Sequence, residues 1–178
     1  MVRQRSAKPL FAGSNPAVAS IETPPGFNFE VTVVSHGWYK LAPFRWDGDV
    51  LHRVELLDGT PRQLAIAWRH GSLSVRARGA TLNDELHAKL TRMFQLDVAI
   101  EEFHALAAES RTHAWAAGHR FGRLLCGSTL FEDAVKIIAT KNTTWRQTVR
   151  MIELLVRHAF EPLGQESSVP TAHQRVRR

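Results

Sequence analysis

Apolar side chains recur at every second position up to about residue 78, and at every third or fourth position from residue 81 onward. The first spacing suits half-buried strands and the second suits amphipathic helices. Phe27, Phe29, Val31 and Val33 alternate with Asn28, Glu30 and Thr32, which predicts a strand. A loop reads SHGWYKLAPFRWDGD. LHRVELL and RQLAIAWR predict two further strands joined at Asp58-Gly59, a strong hairpin signal. Leu64, Ile66 and Trp68 share one face of the second of these. His70-Gly71 marks another turn before SLSVRAR, where Leu73, Val75 and Ala77 line one face. Residues 27–78 thus read as an antiparallel sheet of four or five strands.

Thr81-Leu-Asn-Asp84 then predicts a helix start with a hydroxyl cap and a first-turn acid, and Leu82, Leu86, Leu90, Met93 and Phe94 form its apolar stripe. Leu96-Asp97 ends it. A second helix is expected over Val98–Ala108 with Ile100, Phe103 and Leu106 inward, followed by irregular chain over 109–128. Thr129-Leu-Phe-Glu132 has the form of a capping box, in which the hydroxyl and the carboxylate each satisfy a free amide of the first turn. It predicts a helix over 130–140 with Phe131, Ala134, Val135 and Ile138 buried. Asn142-Thr143-Thr144 interrupts the pattern, and Trp145, Val149, Ile152, Val156 and Ala159 predict a longer helix that Pro162 and Gly164 stop. Residues 1–25 show neither period and are expected to lack fixed structure, as a basic arm or a mis-assigned start. Residues 164–178 read as a loose basic tail.

Charge sharpens this division. The net charge is +6, but residues 21–110 hold nine Lys/Arg against twelve Asp/Glu, whereas 111–164 hold eight against four. A basic helical half beside a mildly acidic sheet half points to a polyanionic partner. The single cysteine, Cys126, excludes an internal disulfide. No apolar run approaches the ~18 residues of a membrane helix, and no secretory signal pattern opens the chain, so a soluble cytoplasmic protein without membrane partner is expected. The nine histidines do not group at metal spacing, no Gly-x-Gly is present, and Cys126-Gly-Ser-Thr129 is not a nucleophile elbow. No metal, cofactor or catalytic residue is therefore assigned. Asp47 with Asp49 reads as a turn, and Glu101 with Glu102 as a solvated helix face.

Three motifs carry a resemblance. TLFEDAVKIIATKNTTWRQTVRMIELLVRHAF over Thr129–Phe160, Phe44-Arg45-Trp46, and Phe94-Gln-Leu-Asp97 occur in an order similar to that of helix-hairpin-helix (HhH-GPD) DNA glycosylases of the 3-methyladenine and 8-oxoguanine branches. The resemblance covers about residues 27–163. It implies an α+β fold: a small antiparallel sheet domain of the glycosylase N-terminal type over 26–110, then the first helices of a truncated helical domain over 111–163. It implies double-stranded DNA as partner. In the family the loop after the first of these helices enters the duplex, props the gap left by a flipped base and touches the estranged partner base. Asn142 matches the loop asparagine of the oxoguanine branch, with Lys141 and Thr143 beside it. Lys136, Arg146 and Arg150 are the further candidate phosphate donors.

The family's Leu-Pro-Gly-Val-Gly hairpin and its catalytic Asp do not occur in the sequence. Leu41 stands where the oxoguanine branch has a lesion-reading glycine, which leans toward alkylated bases. The expectation is a base-excision-repair glycosylase family member present as a fragment that does not itself hydrolyse the N-glycosidic bond. A non-catalytic DNA-binding or interaction module is the alternative. A small-molecule-binding α+β domain is a third reading, should the resemblance be chance.

Overall fold

The computed structural model describes residues 17–77 and 83–160. Their elements are β1 (Ala17–Glu22), α1 (Phe29–Val33), a 3₁₀ turn (Gly37–Lys40), β2 (Phe44–Trp46), β3 (Leu51–Leu57), β4 (Thr60–Arg69), β5 (Ser72–Ala77), α2 (Asp84–Phe94), α3 (Glu101–Glu109), α4 (Ala114–Gly118), α5 (Leu130–Thr140) and α6 (Trp145–Phe160). The strands form one five-stranded antiparallel sheet in the order β1-β5-β4-β3-β2. The fold is α+β, as expected.

The two hairpin turns sit where the sequence puts them. Asp58 and Gly59 both have positive φ, as do His70 and Gly71. That is the type I′ geometry whose twist matches the flanking strands. Leu51 and Leu57 of β3, Leu64 and Ile66 of β4, and Leu73, Val75 and Ala77 of β5 are buried on one face of the sheet. Against them pack Leu86, Leu90, Met93 and Phe94 of α2, and Phe29 and Val33 of α1. Phe29 and Phe94 lie with ring centroids 5.6 Å apart.

Several expectations fail for identifiable reasons. Residues 27–33 are not a strand. Asn28 accepts the Val31 amide at 3.1 Å and Thr32 donates its hydroxyl to the Asn28 carbonyl at 2.8 Å. This cap closes a helical turn whose inward residues, Phe29, Thr32 and Val33, fit three- and four-residue spacing equally well. The missing edge of the sheet is supplied by β1, inside the stretch expected to lack structure. Its residues pair with β5 from Ala17 opposite Ala77 to Glu22 opposite Ser72, burying Ile21 while Val18 faces solvent. The other edge is β2, in the expected loop. The α2 cap is Asn83, which accepts the Leu86 amide at 3.1 Å; Thr81 and Leu82 lie outside the described residues. In α3 the inward residues are His104 and Ala107, while Phe103 and Leu106 are exposed. His104 is drawn inward because its Nε2 donates to the Phe121 carbonyl at 2.6 Å.

The largest departure is α5. Its helix and Thr129 cap are as expected, with Thr129 Oγ1 accepting the Glu132 amide at 3.1 Å. Its orientation is reversed. Phe131 and Ile138 are 78% and 72% exposed, and Leu130 and Ile137 are exposed too. The buried residues of this helix are Asp133 and Lys136. Among the described residues no helix is long and apolar enough to cross a membrane.

An apolar helix face in water should bind an apolar dye. Ile138→Glu is expected to weaken dye binding while changing stability by no more than about 0.5 kcal/mol, as at other exposed sites. Leu90→Ala, in the core, should cost about 2–5 kcal/mol in urea unfolding. Dye binding that is unchanged in Ile138→Glu would place the apolar surface elsewhere.

Candidate nucleic-acid interface

What turns the polar face of α5 inward is a set of buried charges. On β3 the inward positions alternate as Leu51, Arg53, Glu55, Leu57, so two charges occupy core-facing sites of the strand. Arg53 donates to Glu132 at 3.1 Å and lies 2.6 Å from a Glu55 oxygen. Lys136 reaches Glu132 at 2.5 Å, one helical turn away. Ser128 donates its hydroxyl to Glu55 at 3.1 Å. On the flank, Arg92 of α2 pairs with Asp133 at 2.6 Å, and Lys89 pairs with Glu55 at 3.1 Å. Two cations lie over the Phe44 ring, with the Arg53 guanidinium 4.6 Å and the Lys136 ammonium 4.5 Å from its centroid.

The chain enters this cluster at a glycine, where a larger residue would displace the acids. Gly127 donates its amide to Asp133 at 2.6 Å, and a β-carbon there would sit 2.7 Å from both Asp133 and Glu132. Glu132 accepts the Ser128 amide at 3.0 Å, one residue earlier than the expected capping box would place it. Burial alone would push the Glu132 carboxyl up. The Arg53 and Lys136 charges outweigh that and bring it down to about 2. Burial pushes the Lys136 ammonium down, against the pull of Glu132. The Cys126 thiol is pushed up, by burial first and then by Asp133, so nothing activates it as a nucleophile.

The candidate DNA contacts separate on this framework. Lys136 is corrected: it is 1% exposed and held by Glu132, so it has no surface to offer a phosphate. Lys141 and Asn142 sit in the exposed turn between α5 and α6, and Arg146 is exposed in the first turn of α6. Asn142 has φ 57°, a left-handed conformation that asparagine tolerates better than most residues. The Thr143 hydroxyl donates to the Ala139 carbonyl at 2.8 Å, so it fastens the turn instead of projecting from it. Thr144 and Gln147 make a reciprocal cap for α6, with the Gln147 side chain accepting the Thr144 amide at 2.8 Å. Arg150 is exposed but shares its charge with Glu153 at 3.3 Å. Lys141, Asn142 and Arg146 therefore form the exposed tip of a helical hairpin whose turn is fixed by its neighbours.

No protein-family model matches the sequence, and no curated protein matches it. Solved structures do match. A 3-methyladenine DNA glycosylase from Archaeoglobus fulgidus superposes on 75% of this chain with a TM-score of 0.59 and 18% identity. The fold is DNA-glycosylase-like. The chain spans 48% of the length of that glycosylase. At such identity the likeness rests on shared architecture, which a five-stranded sheet backed by helices satisfies with few residues in common.

The charged cluster was not legible as a site in the sequence. The one signal for the cluster was the presence of Arg53 and Glu55 at the same strand parity as Leu51 and Leu57.

The Glu132 carboxyl predicts acid sensitivity. Its folded pKa lies below the ordinary value of 4.5, so its contribution is full above about pH 5 and is lost as pH falls toward 2. The size is about 3 kcal/mol. Glu132→Gln should lower stability at neutral pH by about 3–5 kcal/mol, because it leaves Arg53 and Lys136 facing each other without the anion. It should also flatten the acid limb of the stability curve. An unchanged acid limb in that variant would assign the sensitivity to other carboxylates.

Proposed function

We propose that this chain is a DNA-binding unit of the base-excision glycosylase type, from the branch that acts on alkylated bases. The observation that carries the reading is the α5–α6 hairpin tip, exposed and basic, on a glycosylase-like fold. Lys141 and Arg146 supply the phosphate contacts, Arg150 a weaker one, and Asn142 the wedge. An asparagine amide both donates and accepts, so it satisfies the edge of an unpaired base. Inserted side chains offset part of the few kcal/mol that base extrusion costs. Thr143 serves by holding the turn. In this reading residues up to 110 form the sheet unit and 111–163 a partial helical unit, with β1 moving the start of the sheet unit back to Ala17.

Removal of a base needs a carboxylate to assist its departure. Among the described residues the acids carried by α5 and α6 are Glu132, Asp133 and Glu153, and each is engaged in an ion pair. The 178-residue chain is therefore expected to release no base from alkylated, oxidised or deaminated duplexes. Abasic sites accumulating above a buffer control would overturn this.

Duplex binding should be weak and non-specific, in the ~10⁻⁴–10⁻⁶ M range at physiological salt, and should weaken steeply as salt rises. Lys141→Ala with Arg146→Ala should reduce the salt slope by about one unit for each phosphate no longer neutralised. The control is a chain without residues 1–16 and 165–178, which removes basic ends while keeping β1. If that chain no longer binds duplex at low salt, the ends explain the binding and the hairpin does not. The alternative of an interaction module would then gain, and the exposed apolar face of α5 is the observation that favours it.

A further inference from the structure

A groove of about 460 Å³ opens where the sheet meets the start of α1. It is lined by residues 26–30, Trp46, Gly48, Asp49, Trp68, Arg69 and Arg120, with no residue from α5 or α6. Its volume lies in the ordinary range for small-molecule sites. Trp68 follows Leu64 and Ile66 on the core face of β4, but at the strand end it is 40% exposed. Its indole is pinned from behind. Nε1 donates to Thr23 Oγ1 at 3.5 Å, and that hydroxyl donates to the Gly71 carbonyl at 2.7 Å. Trp46 is half-buried, its ring set edge-on to Phe29 with centroids 5.8 Å apart.

The lining also holds a guanidinium, that of Arg120. Arg120 has φ 58°, and its side chain lies against Gly26, which has φ +71°. A β-carbon on Gly26 would be 3.0 Å from the guanidinium carbon, and the positive φ there favours glycine in any case. The two segments are tied by Asn28 Nδ2, which donates to the His119 carbonyl at 3.4 Å. Arg120 has no ion-pair partner among the described residues. Two further charges of the lining, Asp49 and Arg69, offset each other. Asp47 accepts the Asp49 and Val50 amides at 3.1 and 2.8 Å, which sets the turn, and Asp49 then holds Arg69. Glu30, also in the lining, is exposed in the first turn of α1.

We propose that this groove binds a nucleotide, with the base stacked on Trp68, an exocyclic amino group donating to Glu30, and the phosphate held by Arg120. A fixed aromatic face accepts any base by stacking. An unpaired guanidinium matches phosphate geometry. A carboxylate accepts from the amino group of cytosine, adenine or guanine and finds no such donor on thymine. The ligand is either a free nucleotide or an unpaired residue of a single strand, since both present the same base and phosphate. The site is independent of the hairpin reading above.

The test is calorimetric titration of the full chain with dAMP, deoxyadenosine, dTMP and a short single-stranded oligodeoxyadenylate. Each is repeated on Trp68→Ala, Arg120→Ala and the Lys141→Ala/Arg146→Ala variant, with circular dichroism as the folding check and Trp68→Phe as a stacking-conservative partner. Trp68→Ala should weaken binding roughly tenfold or more, and Trp68→Phe should recover most of it. Arg120→Ala should remove the preference for dAMP over deoxyadenosine, and dAMP should bind better than dTMP. Binding of dAMP with this dependence identifies the free nucleotide. Binding of the oligonucleotide alone, with the same dependence on Trp68 and Arg120, identifies an unpaired strand residue. Oligonucleotide binding that survives both groove variants but is lost in the hairpin variant overturns the groove and supports the hairpin. No binding of any of these ligands, or equal binding of dAMP and deoxyadenosine, overturns it as well.

Discussion

The contact of Glu132 with Arg53 and Lys136 decides how this molecule is arranged. It joins the middle of β3 to the first turns of α5. Charges this deep are costly to desolvate, so the cluster is poor evidence of net stability. What it supplies is direction. Once Arg53 and Glu55 occupy the inner face of β3, only a helix with complementary charges can lie over them, and α5 must turn Glu132, Asp133 and Lys136 toward the sheet. The Phe44 ring and the close approach of Gly127 complete the same site.

Two functional consequences follow from that orientation. The apolar residues of α5 face away from the sheet, which leaves Leu130, Phe131, Ile137 and Ile138 as surface. The turn after α5 is directed by the same helix, and two hydroxyls fix it: Thr143 bonds back to the Ala139 carbonyl and Thr144 forward to the Gln147 side chain. The exposed cations at the hairpin tip are thus carried on a segment with little freedom of its own. A preorganised tip loses less entropy when it meets a partner than a loose loop of the same charge does.

The end of the sheet near α1 obeys a different logic. There the aromatic and cationic groups are surface residues held by second partners: Trp68 by Thr23, Arg120 by the space at Gly26, Arg69 by Asp49. The hairpin tip and this groove draw on separate elements, so one can be altered without the other. Both lie on a glycosylase-like architecture of which this chain spans about half.

Local chemistry was readable from the residues alone. The Asp58-Gly59 and His70-Gly71 turns, the alternation of β3 to β5, the Thr129 cap and the spans of α5 and α6 each depend on neighbours in sequence, and each is found where the pattern puts it. The short segments were different. Phe27–Val33 fits two periods, and only the Asn28 cap chose the helix. Ala17–Glu22 has little strand character until the free edge of β5 gives its amides partners. The facing of α5 was likewise undecided by its own sequence. Amphipathicity states that two faces differ, and apolar burial is the usual outcome because it removes hydrocarbon from water. Here the surface that α5 meets is itself charged, at Arg53 and Glu55, more than seventy residues away. That long-range match made Lys136 a buried partner instead of a phosphate donor, and no local pattern carries the information that decides it.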